Sequence, residues 1–132
     1  MRFMMLMIPR GYEDAPAGTL PDVEMVASMA RYNRALKEAG VLLALDGLHP
    51  PAMGARVRFS AGGQGARSTV VDGPFTAAHE VLGGYWMLQV KSKAEAVEWA
   101  RRCPAGPGNI IEVRQVMEPS DFPPELQNAA RS

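Results

Sequence analysis

Apolar side chains fill positions 3–8 without a polar break, and Pro9 closes the run. A stretch this short and this apolar predicts a buried strand over residues 2–8. A loop rich in Gly, Pro and Ala follows over residues 11–18. The pattern then changes to helical spacing. Val23, Val26, Met29, Ala30 and Leu36 recur on one face, and Arg31, Arg34 and Glu38 fall largely on the other. Thr19 is the expected cap, with Pro21 in the first turn and Asp22 at capping-box spacing, and Gly40 is the expected stop. Residues 41–45 form a second apolar strand. Asp46-Gly47 begins a turn, and His49-Pro50-Pro51 is a stiff extended piece. Residues 55–60 alternate, with Val57 and Phe59 facing one way and Arg56 and Arg58 the other, which predicts a half-buried strand. Residues 61–65 are its hairpin connection and residues 67–71 its return. Residues 85–90 read as a further strand. Ser92-Lys93-Ala94-Glu95 is a capping box, opening a helix that Pro104 stops, and residues 110–116 are the last strand. From Glu118 the chain is proline-punctuated and polar, so residues 1–117 are expected to form one domain and residues 118–132 a surface tail.

With the hairpin set aside, the order is βαββαβ. That order predicts an α+β fold of the ferredoxin-like, split-βαβ kind, an antiparallel sheet with both helices on one face. The other face would be a large uncovered apolar surface. Pairing with a second copy about a two-fold axis solves this, so a homodimer through the sheet face is expected.

Composition narrows the function classes. Fourteen basic residues balance fourteen acidic ones, which removes the electrostatic argument for nucleic acid or an anionic membrane surface. The apolar run near the start is too short to span a bilayer, and no secretory signal pattern accompanies it. Cys103 is the single cysteine, which fits a reducing, cytoplasmic setting. Nine methionines supply flexible core filling or an adaptable pocket lining. No P-loop, no GxGxxG after a strand, no CxxC, HExxH or GxSxG is present, and two histidines 30 residues apart with one cysteine argue against a metal site. No cofactor is implied.

The densest chemistry lies in VVDGPFTAAHE, residues 70–80. Asp72 before Gly73-Pro74 can cap its own turn or serve as an acid or base held by a stiff corner. In that reading Gly73 supplies a conformation that other residues resist. His79 carries the side-chain type that ordinarily titrates near neutrality, so Asp72 could orient it for acid–base work; otherwise it is a solvent-facing loop residue. Phe75 would line such a site. Glu112 and Arg114, two apart on the last strand, share a face; they pair with each other or hold an anionic ligand, provided Val113 packs under a helix. Arg56 and Arg58 are expected on a solvated face, and His49 has no evident partner in the sequence.

These pieces together resemble the YCII-related proteins, specifically the DGPF-domain branch. The resemblance is carried by MRFMMLMIP, LKEAGVLLALDGLHPP, VVDGPFTAAHEVLGGYWMLQV, AEAVEWARRCP and IIEVRQV, which span most of residues 1–117. It implies a dimeric α+β barrel. It implies little about activity; some relatives are linked to alternative sigma factors. Many DGPF members carry a lysine where this chain has His79. Shorter YCII-type members are thought to use a histidine near the first helix with an aspartate, and this chain has no histidine before His49, so that dyad does not carry over. The expected function is binding of a small organic molecule, anions included, in a cavity between sheet and helices. Asp72 and His79 would be the acid–base pair there, and Phe75, Glu112 and Arg114 the ligand contacts. The alternative is a non-catalytic interaction module associated with transcription.

Overall fold

A computed structural model describes residues 1–62, 67–75 and 78–131. The strands are β1 Arg2–Ile8, β2 Leu42–Gly47, β3 Ala55–Phe59, β4 Ser68–Asp72, β5 Gly84–Gln89 and β6 Ile110–Gln115. The helices are α1 Val23–Glu38, α2 Lys93–Arg101 and α3 Pro124–Ala130, with 3-10 turns at Tyr12–Asp14, Pro51–Met53 and Pro119–Asp121. The main sheet has the order β2-β5-β1-β6 with every pairing antiparallel, while β3 and β4 pair only with each other. This is the α+β, ferredoxin-like βαββαβ arrangement with a hairpin inserted between β2 and β5. Part of the expected hairpin tip and part of the DGPF stretch, residues 63–66 and 76–77, lie outside the described residues.

β1 is apolar from Phe3 to Ile8 because it is a central strand with both faces in use. Phe3, Met5 and Met7 are buried under the helices, and Arg2, Met4 and Leu6 are half-buried on the opposite face. β5 follows the same alternation, with Trp86 and Leu88 inward and Tyr85 and Met87 outward. The core gathers Phe3, Met5, Trp86 and Leu88 of the sheet against Tyr32 and Leu36 of α1 and Ala96 of α2. Tyr32 and Trp86 meet edge to face, 5.8 Å apart at 88°. The Tyr32 hydroxyl donates to the Trp99 carbonyl at 2.6 Å, and the Trp86 Nε1–H donates to Asn33 Oδ1 at 2.7 Å. Both polar tips of this aromatic pair are therefore satisfied inside the core. Burial pushes the Tyr32 phenol far above its ordinary range.

Several local expectations need correction. The α1 cap is Asp22, whose carboxylate accepts from the Met25 N–H at 2.8 Å; the Thr19 hydroxyl instead donates to the Pro16 carbonyl. The inward stripe of α1 is Met25, Met29, Tyr32 and Leu36, whereas Val23 and Val26 are exposed. Met29 and Leu36 of the expected stripe do face the core; Val23, Val26 and Ala30 do not, because the expectation ranked valine and alanine above Met25 and Tyr32. At α2 the Ser92 hydroxyl accepts from the Glu95 N–H, but the Glu95 carboxylate reaches Lys91 N–H rather than the cap residue's own. The largest correction concerns the hairpin. Val57, Phe59 and Val70 share one face and are 51%, 78% and 65% exposed, so β3 is not half-buried. Alternation shows that two faces differ; it does not supply a surface to cover one of them.

The chain after β6 is tied to the first residue of β1: Val116 N–H donates to the Arg2 carbonyl at 2.9 Å. Arg2 donates twice to the Glu118 carboxylate, at 2.8 and 2.7 Å, and this bidentate pairing lowers the Glu118 carboxyl below its usual range. α3 beyond it is exposed apart from the half-buried Gln127.

Candidate functional site

The base of the hairpin explains the DGPF turn in a way the sequence reading missed. Gly73 is not among the glycines of positive φ. It is required by close approach instead: a Cβ there would lie 1.6 Å from the Pro51 carbonyl oxygen and 2.5 Å from its carbon. The Gly73 N–H donates to the Gly54 carbonyl at 2.9 Å. Phe75 is half-buried, and the Arg56 guanidinium covers its ring at 4.1 Å from the centroid. Arg56 is thus stacked rather than simply solvated. Asp72 ends β4, is exposed, and its carboxylate makes no hydrogen bond among the described residues; His79 is exposed on the loop beyond.

Glu112 and Arg114 do share a face. Val113 packs against the core, so both charged side chains point to the sheet face away from the helices. They pair with each other at 3.1 Å and are well exposed. Such a pair contributes little to stability by itself, because solvent screens it.

Asp72, Phe75, His79, Glu112 and Arg114 all lie away from the more enclosed of the two clefts found among the described residues. That cleft lies on the helix side, where the N-terminal half of α1 leaves the ends of β1, β2 and β5, and its volume is about 460 Å³. Met7 forms one wall, Met25 and Met29 of α1 another, and Leu20, Pro9, Pro21 and Leu48 complete the apolar surface. Tyr12, Thr19, His49 and Asn109 supply its polar groups, and among the described residues no Asp, Glu, Lys or Arg side chain lines it.

The cleft is held by main-chain bonds between segments distant in sequence. Gly83 N–H donates to the Met7 carbonyl at 2.8 Å, Leu48 N–H to the Gly83 carbonyl at 2.9 Å, and the Tyr12 hydroxyl to the Leu48 carbonyl at 2.6 Å. A side chain at Gly83 would begin 2.4 Å from Pro9 Cγ, so that segment is pressed against Pro9 where both line the cleft. Burial raises the Tyr12 phenol above its ordinary range, which keeps its proton in place at neutral pH.

A more open hollow of about 540 Å³ between α2 and β6 is lined by Val97, Ala100, Cys103, Ile111 and Val113 among others, and Asn109 borders it as well as the cleft. Burial pushes the Cys103 thiol up to about 11, so it stays protonated at neutral pH and is a poor nucleophile. No group of three potential metal ligands gathers among the described residues, and none of the helices is long and apolar enough to cross a membrane.

His49, Tyr12 and Asn109 are the cleft residues that sequence reasoning did not assemble. They come from three connections far apart in the chain, and no local motif links them. His49 before Pro50-Pro51 was visible as an isolated histidine, and only the fold gives it neighbours. A comparison with curated proteins finds no match. A comparison with protein families matches residues 1–120 to the YCII-related domain, and the chain belongs to that family.

Proposed function

We propose that the protein binds a small organic molecule in the cleft between α1 and the ends of β1, β2 and β5. The observation that carries this reading is the combination of volume and lining. Small-molecule sites are concave, mostly apolar and equipped with a few polar groups, typically at ~300–1,000 Å³. The cleft has about 460 Å³, three methionines and four polar side chains. Methionine is flexible and polarisable, so the walls can adapt to ligand shape. Met25→Trp is expected to fill the cleft and weaken binding of 2-acetylnaphthalene, followed by its fluorescence, at least tenfold; unchanged affinity would reject the site. An acid–base role for Asp72 with His79 gains no support from this geometry, since neither side chain lines the cleft. The DGPF turn itself supports assignment to the DGPF branch.

The dimer expectation also has support. The sheet face away from the helices carries Met4, Leu6, Tyr85 and Met87, bordered by Glu112 and Arg114 on edge strand β6. Opposite charges two residues apart make this surface complementary to its own copy about a two-fold axis. Sedimentation equilibrium is expected to give a dimer for the wild type and a monomer for Met87→Glu. A monodisperse wild-type monomer would overturn the pairing. A monomer that also binds no probe would favour the interaction-module reading, for which the exposed Val57, Phe59 and Val70 of the hairpin are the supporting observation.

A further inference from the structure

The polar groups of the cleft have most of their hydrogen positions dictated by the main chain, and this specifies what a ligand must offer. A carbonyl oxygen can only accept a hydrogen bond. The Tyr12 hydroxyl therefore commits its proton to the Leu48 carbonyl at 2.6 Å, and the Thr19 hydroxyl commits its proton to the Pro16 carbonyl at 2.6 Å. Neither is left to donate to a ligand. A backbone N–H can only donate, so Arg10 N–H, 2.8 Å from Asn109, fixes that amide with Oδ1 turned to the backbone. The Asn109 Nδ2–H₂ group then remains as a donor, with no protein acceptor among the described residues; it lies near Gly106, where Asn109 borders both this cleft and the hollow between α2 and β6. His49 adds a ring N–H at the same cleft.

Charge narrows the class further. Among the described residues, no Asp, Glu, Lys or Arg side chain lines the cleft. Arg114, the cation expected to hold an anion, lies across the sheet and is already paired with Glu112. An ammonium moved into this apolar lining loses hydration without gaining a counter-charge, and a carboxylate has only the solvent-exposed His49 ring to face, which returns less than its lost hydration.

Resting on the cleft reading above, we propose that the ligand is an uncharged, mainly apolar molecule bearing a carbonyl group, whose oxygen accepts from Asn109 Nδ2–H₂ with His49 as the second donor. Its hydrocarbon part lies against Met7, Met25 and Met29.

Four probes of nearly equal shape test this: 2-acetylnaphthalene, 2-ethylnaphthalene, 2-naphthoate and 2-naphthylmethylammonium. The ketone is expected to bind tightest, about tenfold better than the hydrocarbon, which corresponds to roughly one neutral hydrogen bond. The two ions are expected to bind at least tenfold more weakly than the ketone. Asn109→Asp keeps the acceptor that Arg10 N–H uses and removes the donor, so it should cut the ketone's advantage over 2-ethylnaphthalene severalfold, and adding His49→Phe should erase it. Equal affinity for all four probes, with Met25→Trp weakening each, would overturn the ligand class and leave the cleft standing. Tightest binding of 2-naphthoate would overturn the class as well. Binding of no probe, or binding indifferent to Met25→Trp, would overturn the cleft reading itself.

Discussion

Trp86→Ala is expected to destabilise the protein by about 3–5 kcal/mol. The indole is only 7% exposed and sits where both helices and the sheet meet. Its removal deletes three things together. The apolar area of the largest core side chain is lost, and a cavity opens beside Met5 and Leu36, both fully buried. The edge-to-face contact with Tyr32 disappears, which alone is worth about 0.5–1.5 kcal/mol. Asn33 Oδ1 loses its 2.7 Å donor while half-buried. Urea denaturation should show the midpoint falling at an unchanged m-value. Trp86→Phe, which keeps a ring but not the N–H, is expected to cost about 1–2 kcal/mol, the range for one unsatisfied half-buried acceptor and a smaller side chain. A loss below 1 kcal/mol for Trp86→Ala would contradict the core described above.

Gly73→Ala is expected to undock the hairpin. The added Cβ would meet the Pro51 carbonyl oxygen at 1.6 Å, the Pro51 carbon at 2.5 Å and the Ala52 nitrogen at 3.2 Å. These are backbone atoms, so no side-chain rotation relieves the clash. Overpacking of this kind costs about 1–3 kcal/mol or more. The least costly relief is movement of β3 and β4, because the pair is exposed and a lone two-stranded hairpin is marginal in water. That movement breaks the Gly73 to Gly54 hydrogen bond and separates Arg56 from the Phe75 ring. Hydrogen exchange should therefore show lost protection in β3 and β4 with β1 and β5 unchanged. Gly47→Ala, whose Cβ would meet nothing within 4 Å, serves as the control and is expected to change little. Undiminished hairpin protection in Gly73→Ala would mean that the close approach to Pro51 does not hold the turn.

These two substitutions also separate what the sequence disclosed from what it did not. The element order was legible because its signals are local: an apolar run closed by Pro9, the Ser92–Glu95 box, and a left-handed Gly40 after α1. The outward direction of Glu112 and Arg114 followed from strand alternation once Val113 was inward. The α1 stripe was legible at Met29 and Leu36 and misplaced elsewhere, because hydrophobicity ranking favours Val23 and Val26 over Met25 and Tyr32, although the long side chains are the ones that reach the sheet. The role of Gly73 was misread because turn chemistry concerns a residue's own φ, and its actual constraint is a backbone 22 positions earlier. The cleft was illegible for the same reason. Its walls come from positions between Met7 and Asn109, and hydrogen bonds to main-chain groups orient its polar atoms, which residue identities do not encode.

The methionines provide the most direct test of the cleft as a ligand site, since they are distributed over both faces of the sheet. With methyl-¹³C-methionine incorporated into the whole protein, titration with 2-acetylnaphthalene is expected to shift the methyl resonances of Met7, Met25 and Met29. Met4 and Met87, on the opposite face, should stay where they are. Shifts confined to Met4 and Met87, or none at Met7, Met25 and Met29, would contradict the account.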